Sequence, residues 1–438
     1  MTKLKNKWIK IWKKGLVGQE DSSNIIFYNF VGTILDKINV GVDPKYEELE
    51  DIRLHTMIIS RTTTGKDEMY IIIDSLFNQL NEGVGGIEIK HEKSNDCTDA
   101  ALIGSVDELK FNFNKKKGLV EGMEGYMPPI KYGLWHKINH FTSTEASDFF
   151  NSGKHNEKLH KHTCELTDRK REVRKDLGQQ HNIAGKCDVS LLLTVQPGKI
   201  KGINELIYSG FFGRFMINHK YMSRNFHNAI MNKSIENTFS SSKPNPFYTN
   251  LRDDSDIKEF ISGMKDIISF YKSNIKNIKI HPVTEMYVKQ KIKEVENTYS
   301  NLLVIDIELL DDYLRRTPNY VKRIARINAV VNKRNVILRE DIDEAVILLK
   351  NTIESIKYFI INTSMDEKAI IAVVRGLKKK NTLNKGDIIT ILSLYMGVGR
   401  NKAGSIFNNI NWVKHLNEIK DGKETKYTLI DGVGDQYL

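Results

Sequence analysis

The stretch Leu54–Ser60 is a short apolar run. It passes through Thr62-Thr63-Thr64-Gly65-Lys66-Asp67-Glu68 directly into Met69–Leu80 (MYIIIDSLFNQL), whose composition and apolar spacing predict a helix. A buried strand that turns at once into a helix cannot meet its next strand through a tight hairpin. A strand that runs into a helix fits the crossover connection of parallel sheets. The turn itself is close to the pattern G-x-x-x-x-G-K-S/T, in which backbone N–H groups at a helix start cradle phosphates. Gly65-Lys66 occupies the G-K position, Ser60 stands for the first glycine, and Asp67 stands for the hydroxyl residue.

A second run, Asp188–Gln196 (DVSLLLTVQ), is nearly unbroken in apolar character and is closed by Pro197-Gly198. A strand covered on both faces looks like this. Around these two runs, residues 20–50 have helical spacing. Residues 83–107 alternate at Ile87 and Ile89 and then continue as a helix over ALIGSVDE. The Lys-, Gly- and Pro-rich stretch 112–130 predicts a loop or hairpin. Gly133–Phe141 is a strand candidate that EASDFF extends, and 154–176 is charged with helical spacing. Alternating strands and helices predict an α/β layer on a parallel sheet.

The pattern changes at 239–250 (SSSKPNPFYTNL), a linker by composition. From 255 to 362 apolar residues recur at three- and four-residue spacing, as in Ile257-Phe260-Ile261-Met264, which predicts a helical bundle. Residues 365–430 read as three helices, the second capped by Asn384, followed by two strands around Asp421-Gly422. That order resembles a winged helix-turn-helix. The resemblance implies DNA contact from Arg400, Asn401 and Lys402 at the start of the third helix, and from Lys420, Lys423 and Lys426 on the wing. Four segments follow: a basic helical segment at 1–50, an α/β core at 51–238, a linker and helical lid at 239–362, and the winged module at 363–438.

Over 438 residues the net charge is +11, which favours a polyanionic partner. Cys97, Cys164 and Cys187 are far apart and form no C-x-x-C pair, which fits a reducing, cytoplasmic compartment. No apolar run reaches the roughly 20 residues of a membrane span, so no membrane partner is expected. The first fifteen residues carry six lysines with Trp8 and Trp12. They form either a basic helix that touches DNA or a membrane surface, or a terminal helix whose tryptophans pack on the domain. His155, His160, His162 and Cys164 cluster without a zinc-ligand spacing.

Taken in order, these stretches resemble an MCM-like AAA+ ATPase, the replicative helicase type of plasmids, phages and genomic islands, with degenerate Walker A and Walker B motifs. The resemblance covers roughly residues 20–430. It implies ATP and Mg²⁺ as cofactors. Thr64, Gly65, Lys66, Asp67 and Glu68 would form the phosphate loop, with Asp67 as metal ligand. It implies that Ile138–Ala146 ends in the acidic strand terminus, where Glu145 activates water and Thr144 replaces an aspartate. Gln196 would sense the γ-phosphate. Arg214, in NELIYSGFFGRFMI (204–217), would reach a neighbouring subunit's site. Arg323 or Arg326, in the lid helices, would act as a second sensor. A hairpin before the sensor strand would carry Lys170, Arg171, Arg174 and Lys175 to DNA in a central channel. The implied activity is an ATP-driven, ring-forming DNA helicase or translocase of a mobile element, a homo-oligomer and by resemblance a hexamer. The departures at Ser60, Asp67 and Thr144 imply the alternative, a DNA-binding scaffold or replication initiator that binds ATP without hydrolysing it.

Overall fold

The computed structural model describes residues 3–15, 20–40, 51–60, 66–82, 87–95, 98–106, 130–150, 159–167, 171–176, 182–200, 210–219, 246–273, 278–300, 307–363, 365–410, 412, 415–422 and 424–430. It is a mixed α/β protein built around a five-stranded parallel sheet. The strands are β1 (Thr56–Ile59), β2 (His91–Lys93), β5 (His140–Ser143), β8 (Ser190–Val195) and β9 (Met216–His219). They lie side by side in the order β2-β5-β8-β1-β9. Every residue of β1, β5 and β8 is buried, which is why the runs at β1 and β8 carry little alternation.

Two antiparallel pairs flank the sheet among the described residues. One joins β3 (Gly104–Val106) to β4 (Ile130–Tyr132). The other joins β6 (Glu172–Asp176) to β7 (Asn182–Lys186) just before β8. Three expectations are corrected here. ALIGSVDE forms a single helical turn, Asp99–Leu102, and then a strand. EASDFF does not extend β5 but coils into the 3-10 turn Ala146–Phe150. Among its described residues, the charged stretch from 154 is helical over Leu159–Thr167 and then forms β6. The elements that replace the expected ones, Gly104–Val106 and β6, are three and five residues long, too short for periodicity to separate helix from strand, and their antiparallel partners hold them extended.

Helices α1 (Lys3–Gly15), α2 (Glu20–Lys37) and α3 (Lys66–Asn81) precede and follow β1. The helix α4 is Leu159–Thr167. Beyond the sheet lie α5 (Ser255–Ser273), α6 (Pro282–Ser300), α7 (Ile307–Val331) and α8 (Arg339–Thr363). A short parallel pair, β10 (Lys279–Ile280) with β11 (Val336–Ile337), links this helical part. Trp8 and Trp12 of α1 are buried. The Trp8 ring lies 5.4 Å from Phe30 of α2 and 5.3 Å from Phe260 of α5, and its indole N–H donates to the Ser23 carbonyl at 2.8 Å. The terminal helix is therefore packed on the body, as the second reading of its tryptophans expected. One hydrophobic cluster runs continuously from Trp8 to Phe359, so the segments 1–50, 51–238 and 239–362 share a core.

A second cluster, from Ala369 to Tyr427, belongs to α9 (Met365–Lys380), α10 (Lys385–Met396), α11 (Arg400–Asn409) and an antiparallel sheet. That sheet has β12 (Leu383–Asn384), β13 (Leu416–Asp421) and β14 (Glu424–Leu429) in the order β12-β14-β13. Asn384 caps α10 by accepting from the Asp387 N–H at 2.8 Å. Gly397 closes that helix in the left-handed region, at φ 64°.

Candidate functional site

In an open parallel sheet, ligands bind outside the carboxyl ends of the strands, where neighbouring strands send their connections in opposite directions. Here that place is between β1 and β8. From β1 the chain leaves through α3 toward the β2 edge. From β8 it leaves toward β9, on the other side of β1. The two ends are level: Ile59 pairs with Val195, and the Ser60 N–H donates to the Val195 carbonyl at 3.0 Å.

Five polar residues come together at these ends. The Thr194 hydroxyl donates to the Thr144 carbonyl at 2.6 Å, which ties the end of β5 to β8. The next residue, Glu145, is exposed, and its carboxylate accepts from the Gln196 amide at 3.2 Å. The Thr144 hydroxyl donates to Asp67 Oδ1 at 3.1 Å, so the first turn of α3 faces the end of β5. Glu145, Gln196 and Asp67, picked from distant parts of the sequence, thus share one edge of the molecule. Lys66 is the first residue of α3 and Glu68 lies in its first turn. Thr64 and Gly65 fall outside the described residues.

Two residues of this edge carry no sequence motif. Lys93 ends β2, and its ammonium lies 2.6 Å from Asp67 Oδ1 and 5.2 Å from the Tyr70 ring centroid. Asn95 follows, with its amide oxygen 3.4 Å from the Thr144 hydroxyl. Three-residue β2 lies at the sheet edge, so nothing in its composition marks it.

Mg²⁺ is the metal that the resemblance implies at Asp67. It is bound through one or two carboxylates together with phosphate oxygens, at short and nearly octahedral geometry. The donors among the described residues do not fit. The end of β5 offers the Thr144 hydroxyl where a carboxylate is needed. Among the described residues, the carboxylate oxygen that meets this hydroxyl, Asp67 Oδ1, already neutralises an ammonium.

On the β9 side of the same edge a cavity of about 450 Å³ opens between α2, β9 and α8. Asn24, Asn218, His219, Asn351, Thr352 and Glu354 are among its walls. His219 Nδ1 lies 2.9 Å from the carbonyl oxygen of Ile59, the last residue of β1, so this cavity adjoins the start of the 60–68 turn.

The arginines are distributed differently. Arg214 ends the 3-10 turn Phe212–Arg214 and donates to the Gly210 carbonyl at 2.7 Å. It lies at the amino end of β9, a strand's length (roughly 13 Å) from the carboxyl ends. Arg323 is corrected: it does not approach the β1–β8 edge. Its guanidinium donates to the Arg53 carbonyl at 3.0 Å and pairs with Asp51 at 3.4 Å, ahead of β1. Arg326 is buried.

Arg171 is corrected as well. It was expected on a DNA-facing hairpin, yet it is only 2% exposed and binds Asp36, Asp51 and Asp188 at 2.6, 3.3 and 2.9 Å. With Arg53 and Arg323 it completes a network of three arginines and three aspartates at the amino ends of β1 and β8. Burial alone would raise the Asp51 carboxyl, but Arg53, Arg323 and Arg171 outweigh it and hold Asp51 well below the usual carboxylate range. The β6–β7 hairpin exists, and Arg174 is exposed on it beside Glu172 at 3.0 Å, as is Lys186 at the end of β7. The Lys175 ammonium donates to the Gly104 carbonyl at 2.7 Å, and Lys170 lies outside the described residues. In the last module Arg400 and Lys402 are exposed on the first turn of α11, while Lys423 lies outside the described residues.

Among the described residues no helix is long and apolar enough to cross a membrane. No family model matches the chain, and the search of curated proteins found no match.

Proposed function

We propose that this protein is an ATP-dependent DNA translocase or helicase subunit on the MCM-like AAA+ plan. Nucleotide binds at the carboxyl edge of the parallel sheet, and the C-terminal module engages DNA as a winged helix-turn-helix. The observation that carries this reading is the Glu145–Gln196 contact. A carboxylate and an amide from the ends of the adjacent parallel strands β5 and β8 meet beside the switch point, and the first turn of α3 contacts the same end of β5. In nucleotide hydrolysis such a carboxylate activates water, and such an amide reports the terminal phosphate.

Further features support the reading. The cavity beside Ile59 is within the size range of small-molecule sites, about 300–1,000 Å³, and offers amides and hydroxyls to a base and ribose. Arg214, a strand's length from its own site, is suited to a neighbouring copy's phosphates, which requires a ring or filament. Arg400 and Lys402 start a helix whose module has three helices and a three-stranded sheet, and the chain's charge is +11. The deciding experiment measures ATP turnover with and without single-stranded DNA in the wild type and in Lys66→Ala. DNA-stimulated turnover that Lys66→Ala abolishes supports a motor. Absence of turnover in the wild type, or an unaffected variant, sinks it.

A second reading is favoured by Thr144 and by the Asp67–Lys93 pair: an inert ring subunit or replication initiator that binds ATP and DNA without turnover. Saturable ATP binding with no phosphate release separates it from the motor.

A further inference from the structure

We infer that Lys93 is the built-in counter-charge of this site, so that nucleotide phosphates bind here without a divalent cation. The inference rests on the reading that the turn between β1 and α3 binds a nucleotide, and it assigns a residue that no motif marks.

The geometry is specific. Lys93 is the last residue of β2 and pairs in register with Thr142 of β5, which aims its side chain across the end of the sheet toward α3. Two contacts fix the ammonium: Asp67 Oδ1 at 2.6 Å and the face of Tyr70 at 5.2 Å. Asp67 in turn accepts from the Thr144 hydroxyl at 3.1 Å. A cation therefore stands between the first turn of α3 and the end of β5, where metal-dependent sites hold their ion. The substitutions at both positions agree with this. Asp67 in place of a hydroxyl supplies the carboxylate that orients Lys93. Thr144 in place of a carboxylate removes the second negative charge a divalent ion would need, and its hydroxyl supports Asp67 instead. An ammonium has three donors and no acceptor, so it can hold Asp67 with one N–H and offer others to phosphate oxygens. Asp67 is 72% exposed and Lys93 27%, so an incoming anion can reach the pair.

The test is equilibrium binding of ATP in EDTA and in excess Mg²⁺, for the wild type, Lys93→Met and Lys93→Arg, each checked for an unchanged melting midpoint. The wild type is expected to bind within about threefold in the two buffers. Loss of one charge-assisted contact should weaken Lys93→Met in EDTA by on the order of tenfold to a hundredfold, and Lys93→Arg should recover most of it. Should Lys93→Met be unfolded, Lys93→Arg with Asp67→Thr carries the test. Removing the carboxylate at 67 leaves the whole ammonium charge to the phosphates, so Asp67→Thr should bind ATP in EDTA at least as tightly as wild type, and weaker binding there overturns the inference. Wild-type binding only with Mg²⁺, or Lys93→Met binding as tightly as wild type in EDTA, overturns the inference and leaves nucleotide binding standing. Absence of ATP binding in both buffers overturns the nucleotide reading and this inference with it.

Discussion

His140 begins β5 and Glu145 lies just past its end, and the two face opposite demands. Glu145 is exposed and bound to one amide, so its side chain is available for chemistry. Glu145→Gln keeps the shape and removes the base. Turnover should fall on the order of 10²–10⁴-fold with ATP binding retained, measured as phosphate release beside equilibrium binding. His140 is buried between α2 and α3. Its Nε2 lies 2.8 Å from Asn29 Oδ1 and its ring 5.0 Å from Phe77. Burial, with His91 nearby, pushes its pKa down to about 3. In the unfolded chain it titrates near 6.5. Between those values the unfolded state holds a proton that the folded state lacks, so stability falls as pH falls through about 6.5. The slope from this residue is about 1.4 kcal/mol per pH unit. Urea midpoints between pH 7 and pH 4.5 should therefore drop more steeply in wild type than in His140→Gln, whose amide still donates to Asn29 and does not titrate. Parallel curves would refute the assignment.

At the scale of elements, the basic residues of the β6–β7 hairpin divide into two roles. Arg171 anchors the start of β6 to Asp36, Asp51 and Asp188. Removing it takes from the buried Asp36 carboxylate its guanidinium partner, so Arg171→Met should cost about 3–5 kcal/mol in urea unfolding. Arg174 is exposed on the same strand. Arg174→Ala should leave stability nearly unchanged and, if the hairpin contacts DNA, lower the salt slope of binding by about one ion. A charge run in sequence cannot separate the two, because spacing does not show which guanidinium meets buried carboxylates from α2 and from the residues before β1. The α10 cap is the opposite case. Asn384 followed by Lys-Gly-Asp is a local signal, and Asn384→Ala should destabilise the C-terminal module by about 1 kcal/mol, read from its own melting transition.

For the whole molecule, two separate hydrophobic clusters divide the chain near residue 364. Deletion of 365–438 should leave a folded body, with the buried Trp8 and Trp12 fluorescence retained, and should remove duplex DNA binding. Duplex binding that survives the deletion would assign that role to another surface. Much of this architecture was legible in the chain. The runs 54–60 and 188–196 announce central strands because burial on both faces demands unbroken apolar residues. The turn between Ser60 and Met69 announces a crossover, and the 3–4 spacing beyond 255 announces the helices α5 to α8. The edge strand β2 and the one-turn helices gave no such signal, since three or four residues carry no period. Sequence by itself determined a parallel sheet with helical layers and a separate C-terminal module, because burial imposes local patterns that each segment must satisfy alone. Only the tertiary structure decided which charges meet. It brought Lys93 to Asp67 and Glu145 to Gln196, and it withdrew Arg171 and Arg323 into the network behind the sheet. Those pairings join residues from separate strands and helices, and strand order and register alone fix their distances.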